Sequence, residues 1–322
     1  MKKVFVIFIC AMFMAVTFAG SSIQQTAAAD TKDIGIVSIS ATEANNARYI
    51  QGVIDAAAEF GWTVTVTDCD GSVDDANAAI TNLVTRGVDY IIDMVFPVTS
   101  LNTGLLNAKE ANVPVATWGG GFGDGVWMAN GSGGPHAIPI VNKMVEDLTG
   151  KGDILALTYH TGQVCREREE EMDKILTSYS EINLTKNEVD IPGYIQDGMD
   201  YTNAWIASRP EGDTNYAIWG CWDDPALGAM AALKQMDRKD VHIYGENGNA
   251  DAIQAVKEGW MTATIWQDSY AEGKAAIAEF VLMLELGDAY EKGFKEIPGI
   301  VVTSENVDTF MKEHPEAIAN IE

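Results

Sequence analysis

Ile34-Gly35-Ile36-Val37-Ser38-Ile39 is a near-continuous apolar run, followed by a stretch of helical period from Asn46 to Phe60 and then by a second β-branched run, Trp62 to Thr67. A strand buried on both faces of a parallel sheet is apolar at nearly every position rather than at alternate ones, and the first run has that character. In the stretch behind it Tyr49, Ile50, Val53, Ile54, Ala57 and Phe60 share one stripe, and Gly61 ends it. Strand, helix and strand in this order form the unit of a parallel α/β sheet.

The unit repeats along the chain. Asp74 to Arg86 is a second helix, with Ala76, Ala79, Ile80 and Leu83 facing inward and Gly87 as its stop; Val88 to Val95 is a third strand, Leu101 to Ala111 a helix, and Val113 to Trp118 a fourth strand. After a glycine-rich break the alternation restarts: helix at Ala137 to Thr149, strand at Asp153 to Thr158, helix at Val164 to Tyr179, strand at Asn187 to Ile191. Thr202 to Ser208, Tyr216 to Gly220, Ala226 to Met236, Val241 to Gly245, Ala250 to Glu258 and Thr262 to Gln267 continue it, and Pro298 to Val302 and Glu305 to Glu313 add a late strand and a terminal helix. The pattern predicts two similar α/β halves in tandem. The long helix from Ala271 to Leu286 could return to either half.

Composition narrows the setting. Lys2 and Lys3, the apolar stretch Val4 to Ala19 and the small residues Ala27-Ala28-Ala29 ahead of Asp30 read as a secretory signal over residues 1–29, cleaved after Ala29 or after Ala19; the other reading is a retained membrane anchor. Cys10 is preceded by Ile7-Phe8-Ile9 rather than by the small residues of a lipoprotein signal. The chain carries 47 acidic and 21 basic side chains, and without Lys2 and Lys3 the formal charge moves from −26 to −28. Such a field repels nucleic acid and anionic membranes. Three cysteines remain beyond the signal, Cys69, Cys165 and Cys221, which excludes a full disulfide framework and leaves one bridge, Cys165 to Cys221, open beside the alternative of two buried thiols.

Signatures of catalysis and metal binding are missing. The run Gly119-Gly120-Gly121-Phe122-Gly123-Asp124-Gly125 contains no G-x-G-x-x-G register and no Walker Lys-Ser/Thr, so it reads as a loop at a strand end. His136, His160, His242 and His314 are scattered without zinc-ligand spacing. Asp68-x-Asp70-Gly71 with Asp74-Asp75 lacks the alternating ligands and closing Glu of a calcium loop and reads as a strand exit leading into a helix N-terminus. No nucleophile elbow appears, so no enzyme and no cofactor are expected.

In open parallel sheets ligands bind outside the carboxyl ends of the strands. Those ends carry Ser40, Glu43, Asn45 and Asn46; Met94-Val95-Phe96; Trp118; then, in the second half, His160 and Arg166, Tyr194, Trp222-Asp223, Glu246-Asn247 and Trp266-Gln267. Aromatics alternating with amides, carboxylates and an arginine suit a small polyol: rings cover C–H faces while polar groups bond hydroxyls. A cationic or nucleoside-like ligand is the competing reading, the cation held by Trp118, Trp222 and Trp266 in a cage closed by Asp223, Glu246 and Asp268.

The strand Ile34 to Ser40, Asn112-Val113-Pro114-Val115, Cys165-Arg166-Glu167-Arg168, Asp223-Asp224-Pro225-Ala226-Leu227-Gly228-Ala229 and Ala263-Thr264-Ile265-Trp266-Gln267 together resemble the ribose/galactose-type periplasmic sugar-binding proteins of ABC transporters. The resemblance spans essentially the whole chain after the signal. It implies two doubly wound parallel-sheet domains joined by a three-segment hinge, residues 30–132 plus 268–296 and 133–267 plus 297–322. It also implies a monomer that traps a sugar between them and delivers it to a membrane permease. Arg166 stands where the family uses an arginine and Gln267 where it uses a glutamine; Trp222 and Asp223 fall at and beside its asparagine or aspartate position. Asn247 replaces an aspartate, Glu246 the preceding aromatic. Trp118-Gly119-Gly120 replaces the usual Asp-Arg, and Asn45 and Asn46 stand near expected stacking aromatics, so the sugar's identity does not carry over. A sensory module for a membrane receptor is a further alternative; a transcriptional regulator of this fold would need a DNA-binding segment where the signal stands.

Overall fold

The computed structural model describes residues 31–131, 133–212 and 215–319; the signal segment read in Met1 to Asp30 lies outside the described residues. From its start the chain forms β1 (Asp33–Ser38), α1 (Ala44–Glu59), β2 (Thr63–Asp68), α2 (Val73–Arg86), β3 (Tyr90–Met94), α3 (Asn102–Glu110), β4 (Val115–Trp118) and β5 (Val126–Asn130). It then builds α4 (Gly133–Asp147), β6 (Lys151–Thr158), α5 (Gln163–Leu176), β7 (Glu181–Glu188), α6 (Tyr194–Ile206), β8 (Tyr216–Gly220), α7 (Asp223–Gln235), β9 (Val241–Tyr244), α8 (Ala250–Lys257) and β10 (Ala263–Trp266). It ends with α9 (Ser269–Leu286), β11 (Gly293–Phe294), β12 (Ile300–Thr303) and α10 (Val307–Glu313).

Two six-stranded sheets result, in the orders β11-β5-β4-β3-β1-β2 and β12-β10-β9-β8-β6-β7. All pairings are parallel except β10 with β12. Each sheet therefore has the same doubly wound core, with its strand order reversing between β1 and β3 in one and between β6 and β8 in the other. Ligand crevices open at such reversal points, at the carboxyl ends of the strands. Central strands are buried along almost their whole length, as β3 and β8 show, whereas the edge strands β2 and β7 are mostly exposed or half-buried.

The long helix left open by the sequence is α9, and it lies on α1 beside the first sheet although it follows β10 of the second. Glycines permit that packing. A Cβ on Gly52 would come within 2.2 Å of the Tyr270 carbonyl oxygen and one on Gly273 within 2.2 Å of the Tyr49 carbonyl oxygen, so the two backbones meet where side chains could not fit. The reciprocal helix is α4, which follows β5 of the first sheet and packs on α5 of the second.

Sequence periodicity misplaced several elements. The strand expected at Asn187 to Ile191 is β7 at Glu181–Glu188, an edge strand whose apolar Ile182 and Leu184 alternate with polar residues and so never form a run. β5 was not expected at all, being five residues long behind the glycine loop. α6 starts at Tyr194 rather than Thr202 because Gly198 does not break it; that glycine fits against the Pro225 carbonyl of α7. The possible Cys165–Cys221 bridge is not formed: Cys69, Cys165 and Cys221 are free and buried, and the Cys165 thiol lies 4.0 Å from the Cys221 carbonyl oxygen. Among the described residues no helix is long and apolar enough to cross a membrane.

Candidate functional site

The two sheets point their carboxyl ends at one another across a cleft, and nearly every strand contributes to the cavity between them. Its lining includes Ile39 after β1, Val95 after β3, Trp118 ending β4, Gly131 after β5, Tyr159 after β6, Ile191 after β7, Trp222 after β8, Asn247 after β9 and Gln267 after β10. The walls enclose about 480 Å³ with the mouth included. Space of that extent suits a small molecule. The cleft is shut by main-chain bonds: Gln163 N–H donates to the Val95 carbonyl (2.9 Å) and Val164 N–H to the Gly119 carbonyl (3.1 Å), joining the N-terminus of α5 to loops of the first sheet.

The wall on the second lobe is organised around Arg168, which is 1 % exposed yet lines the cavity. Its Nη1 donates to the Cys221 carbonyl (2.6 Å) and its Nη2 to Asn247 Oδ1 (3.0 Å). Its Nε lies 2.8 Å from Glu246 Oε2, an ion pair approached off the N–H axis. Glu246 also accepts from the Trp219 indole N–H at 3.1 Å. Burial pushes the Glu246 carboxyl up to about 7, with the charge of Arg168 pulling it back. Asn247 adopts a left-handed backbone (φ 104°), which turns it from β9 toward the guanidinium. Trp222 supplies the aromatic surface, with Tyr159 and Tyr194 edge-on at 5.8 and 5.4 Å between ring centroids.

The wall on the first lobe contains no such cation. Trp118 stacks obliquely on Tyr49 (4.9 Å) and donates its indole N–H to Glu272 Oε2 at 2.7 Å. Asn46 donates to the Ser40 carbonyl at 2.7 Å. Glu43 caps α1, its Oε2 accepting from Asn46 N–H (2.8 Å), while its Oε1 meets Asn249 Nδ2 of the second lobe at 3.5 Å. Asn249 in turn donates to Asp224 at 3.1 Å. Burial raises Glu43, and burial together with the Glu43 charge brings Asp224 up to about 7.

Of the residues expected from the sequence, Asn46, Trp118, Trp222, Asn247 and Gln267 line the cavity. Asn45 is one step behind, donating to Gln267 Oε1 at 3.5 Å, and Tyr194 backs Trp222. Phe96 is packed in the interior of the first lobe. Asp223 is buried beneath the surface, its oxygens taken by Thr264 Oγ1 and Asn249 N–H, both at 2.7 Å. Glu246 acts through Arg168. Arg166 faces away and bonds Gln163 at 2.8 Å; the arginine in the cavity is Arg168. The spacing Cys165, Arg168, Met172 carried that signal, since i, i+3, i+7 is one face of a helix and all three are buried. The aromatic acidic cage does not assemble: Trp266 packs on Phe310 and His314, Asp268 caps α9, and Asp223 and Glu246 are held by internal partners. Among the described residues no cluster could hold a metal ion.

Two doubly wound lobes closing strand ends over a small polar-aromatic cavity define a cleft-type ligand-binding protein. The family model described as a periplasmic binding protein domain matches residues 34–288, and the chain belongs to that family. It is a family of solute-binding proteins, not of enzymes. The chain is 27 % identical over 234 residues to the xylitol-binding protein of Mycolicibacterium smegmatis, covering 71 % of this chain and 65 % of that one. It is 26 % identical over 232 residues to the ribose import binding protein of Haemophilus influenzae, covering 70 % and 76 %. Among solved structures, an ABC transporter solute-binding protein from Agrobacterium vitis with bound allitol superposes with a TM-score of 0.81 at 22 % identity, over 88 % of this chain and 99 % of that one.

Proposed function

We propose that this protein captures a neutral sugar or polyol in the cleft cavity by closing its two lobes, and hands it to the permease of an ABC importer outside the cytoplasm. One observation carries the reading: a cavity at the strand ends of both lobes that combines two indoles, Trp118 and Trp222, with a fully buried guanidinium and three amides. Arg168 can offer N–H groups not used by its internal partners, and among the described residues Asn46 Oδ1 and Asn247 Nδ2 have no hydrogen-bond partner in the chain. They can accept and donate to hydroxyls respectively. The pairing of Arg168 with Glu246 offsets part of the guanidinium charge, which favours neutral ligands over anions.

The moving bodies are residues 30–132 with 268–296 and residues 133–267 with 297–322. The membership of β11 in the first sheet and of β12 in the second supports that division. Export through the N-terminal signal and action as a monomer complete the proposal. The names of the relatives, which include xylitol- and ribose-binding proteins, support a polyol or pentose as cargo.

The test is a thermal-shift screen of the protein against xylitol, allitol, myo-inositol, ribose, sugar acids and polyamines. A ligand that binds only the folded state raises the melting temperature by mass action. Stabilisation by a neutral polyol or sugar alone supports the proposal; stabilisation by a polyamine or a sugar acid instead would overturn it.

A further inference from the structure

Glu272 belongs to none of the surfaces so far assigned to ligand, yet three segments that meet at the cavity converge on it. It lies in the first turn of α9 and is fully buried. Its Oε2 accepts both the Trp118 indole N–H and the Gln267 side-chain N–H, each at 2.7 Å. Its main-chain carbonyl accepts from Asn130 Nδ2 at 3.2 Å. Trp118 belongs to the first-lobe wall, Asn130 ends β5 where the chain first leaves that lobe, and Gln267 follows β10 where it returns. One residue therefore holds a ligand-facing ring, a ligand-facing amide and two of the three crossings between lobes.

These groups are closely packed against the first crossing. A Cβ on Gly131, in the first crossing, would lie 2.8 Å from the Trp118 ring and 3.2 Å from Gln267 Nε2, and its φ of +73° also favours glycine. The Gln267 amide donates to Glu272 and accepts from Asn45 at 3.5 Å, which fixes the orientation of its head group.

We propose that Glu272 is a positioning residue that sets the orientation of Trp118 and Gln267 in the cavity and ties both to the crossings on which closure turns. The proposal rests on the reading of this cavity as the polyol site. Chemistry agrees with the geometry. Burial pushes the Glu272 carboxyl up to about 8, and Asp268, before α9, and Glu296, after β11, add to the rise. Tyr49 of α1 and Asp93 of β3 share the same interior, and Asp93 is itself raised well above the usual carboxylate range by burial. Held with a proton on Oε1, which has no hydrogen-bond partner among the described residues, Glu272 accepts from two N–H donors through Oε2 without leaving a charge in the interior.

The experiment uses the full chain and the variants Glu272→Gln and Glu272→Ala. Calorimetry with xylitol and ribose, and thermal unfolding without ligand from pH 5 to 9, are the readouts. Glu272→Ala is expected to lower affinity about tenfold or more, the effect of losing one or two buried hydrogen bonds. Glu272→Gln, an isostere of the protonated acid, is expected to recover most of that loss.

The pH profile gives the second arm. An acid at 4.5 when unfolded and about 8 when folded binds a proton preferentially in the folded state, so its contribution to stability declines as pH rises through that window. The melting temperature of the wild type should fall relative to Glu272→Gln between pH 5 and 9. Wild-type affinity in Glu272→Ala, or an equal pH slope in Glu272→Gln and wild type, would overturn the assignment. Should neither xylitol nor ribose bind the wild type, the polyol reading loses its support while the ligand-free pH profile still decides whether Glu272 carries the proton that this role requires.

Discussion

The two walls of the cavity face the same difficulty and meet it differently. Each buries a carboxyl group behind its ligand-facing side chains: Glu246 in the second lobe and Glu272 in the first. The second lobe sets a guanidinium 2.8 Å from the acid and spends that guanidinium on a carbonyl, an amide and the cavity itself. Glu272 receives only N–H donors, from Trp118 of its own lobe and from Gln267 at a crossing, and burial pushes its carboxyl up to about 8. A wall built on an ion pair is sensitive to loss of either partner, because a lone buried charge is costly. A wall built on a protonated acid is sensitive to pH instead.

The largest effect that would break this comparison comes from Arg168→Ala. Leaving Glu246 buried without its cation should cost about 3–5 kcal/mol of stability, read by urea denaturation, and abolish polyol binding. The double variant Arg168→Met with Glu246→Leu sharpens the point: stability should return toward wild type while binding stays lost. If the double variant remains as unstable as Arg168→Ala, the ion pair is not the source of the sensitivity.

Next in size is the loss of an indole. Trp222→Ala and Trp118→Ala should each weaken binding by about tenfold to a hundredfold in calorimetry, as expected for a buried aromatic contact. Trp118→Phe keeps a ring but loses the bond to Glu272, and should fall between Trp118→Ala and wild type.

A smaller effect comes from pH. Closure places Glu43 of the first lobe against Asn249 and, through it, Asp224, and both acids are raised by burial in that state. Opening that rehydrates these acids would return them toward the usual carboxylate range, so affinity is expected to decline as pH rises through about 7, and Glu43→Gln should flatten that decline. Affinity that climbs with pH over the same range would contradict the linkage. The smallest effect belongs to Arg166→Ala, expected to change affinity less than about twofold, since a half-exposed side chain bonded to its own helix contributes little.

Much of this molecule is legible in its sequence. The run Ile34 to Ile39 and the helix stripe behind it sufficed for a parallel α/β sheet, because strands buried on both faces must be apolar throughout and helices beside them must be apolar on one side. Repetition of that pattern gave two halves, and the rule that ligands sit at strand ends selected Asn46, Trp118, Trp222, Asn247 and Gln267, all of which line the cavity. β7 escaped, since an edge strand has no continuous apolar run to find.

What the tertiary structure alone decided is which side chain at a strand end faces the ligand and which serves its neighbours. Arg166 and Arg168 are two residues apart and chemically identical, but the helix turns about 200° between them and only one meets the cleft. Asp223 and Glu246 are polar residues at the expected ends, yet each is consumed by partners that the sequence places far away, Thr264 and Asn249 for one, Arg168 and Trp219 for the other. Glu272 gave no signal, because its role arises from contacts to residues 154 and 142 positions distant, Trp118 and Asn130. Local pattern fixes elements through periodicity; the partners of a buried polar group are set by the folding of the chain back on itself, and that is where this site is made.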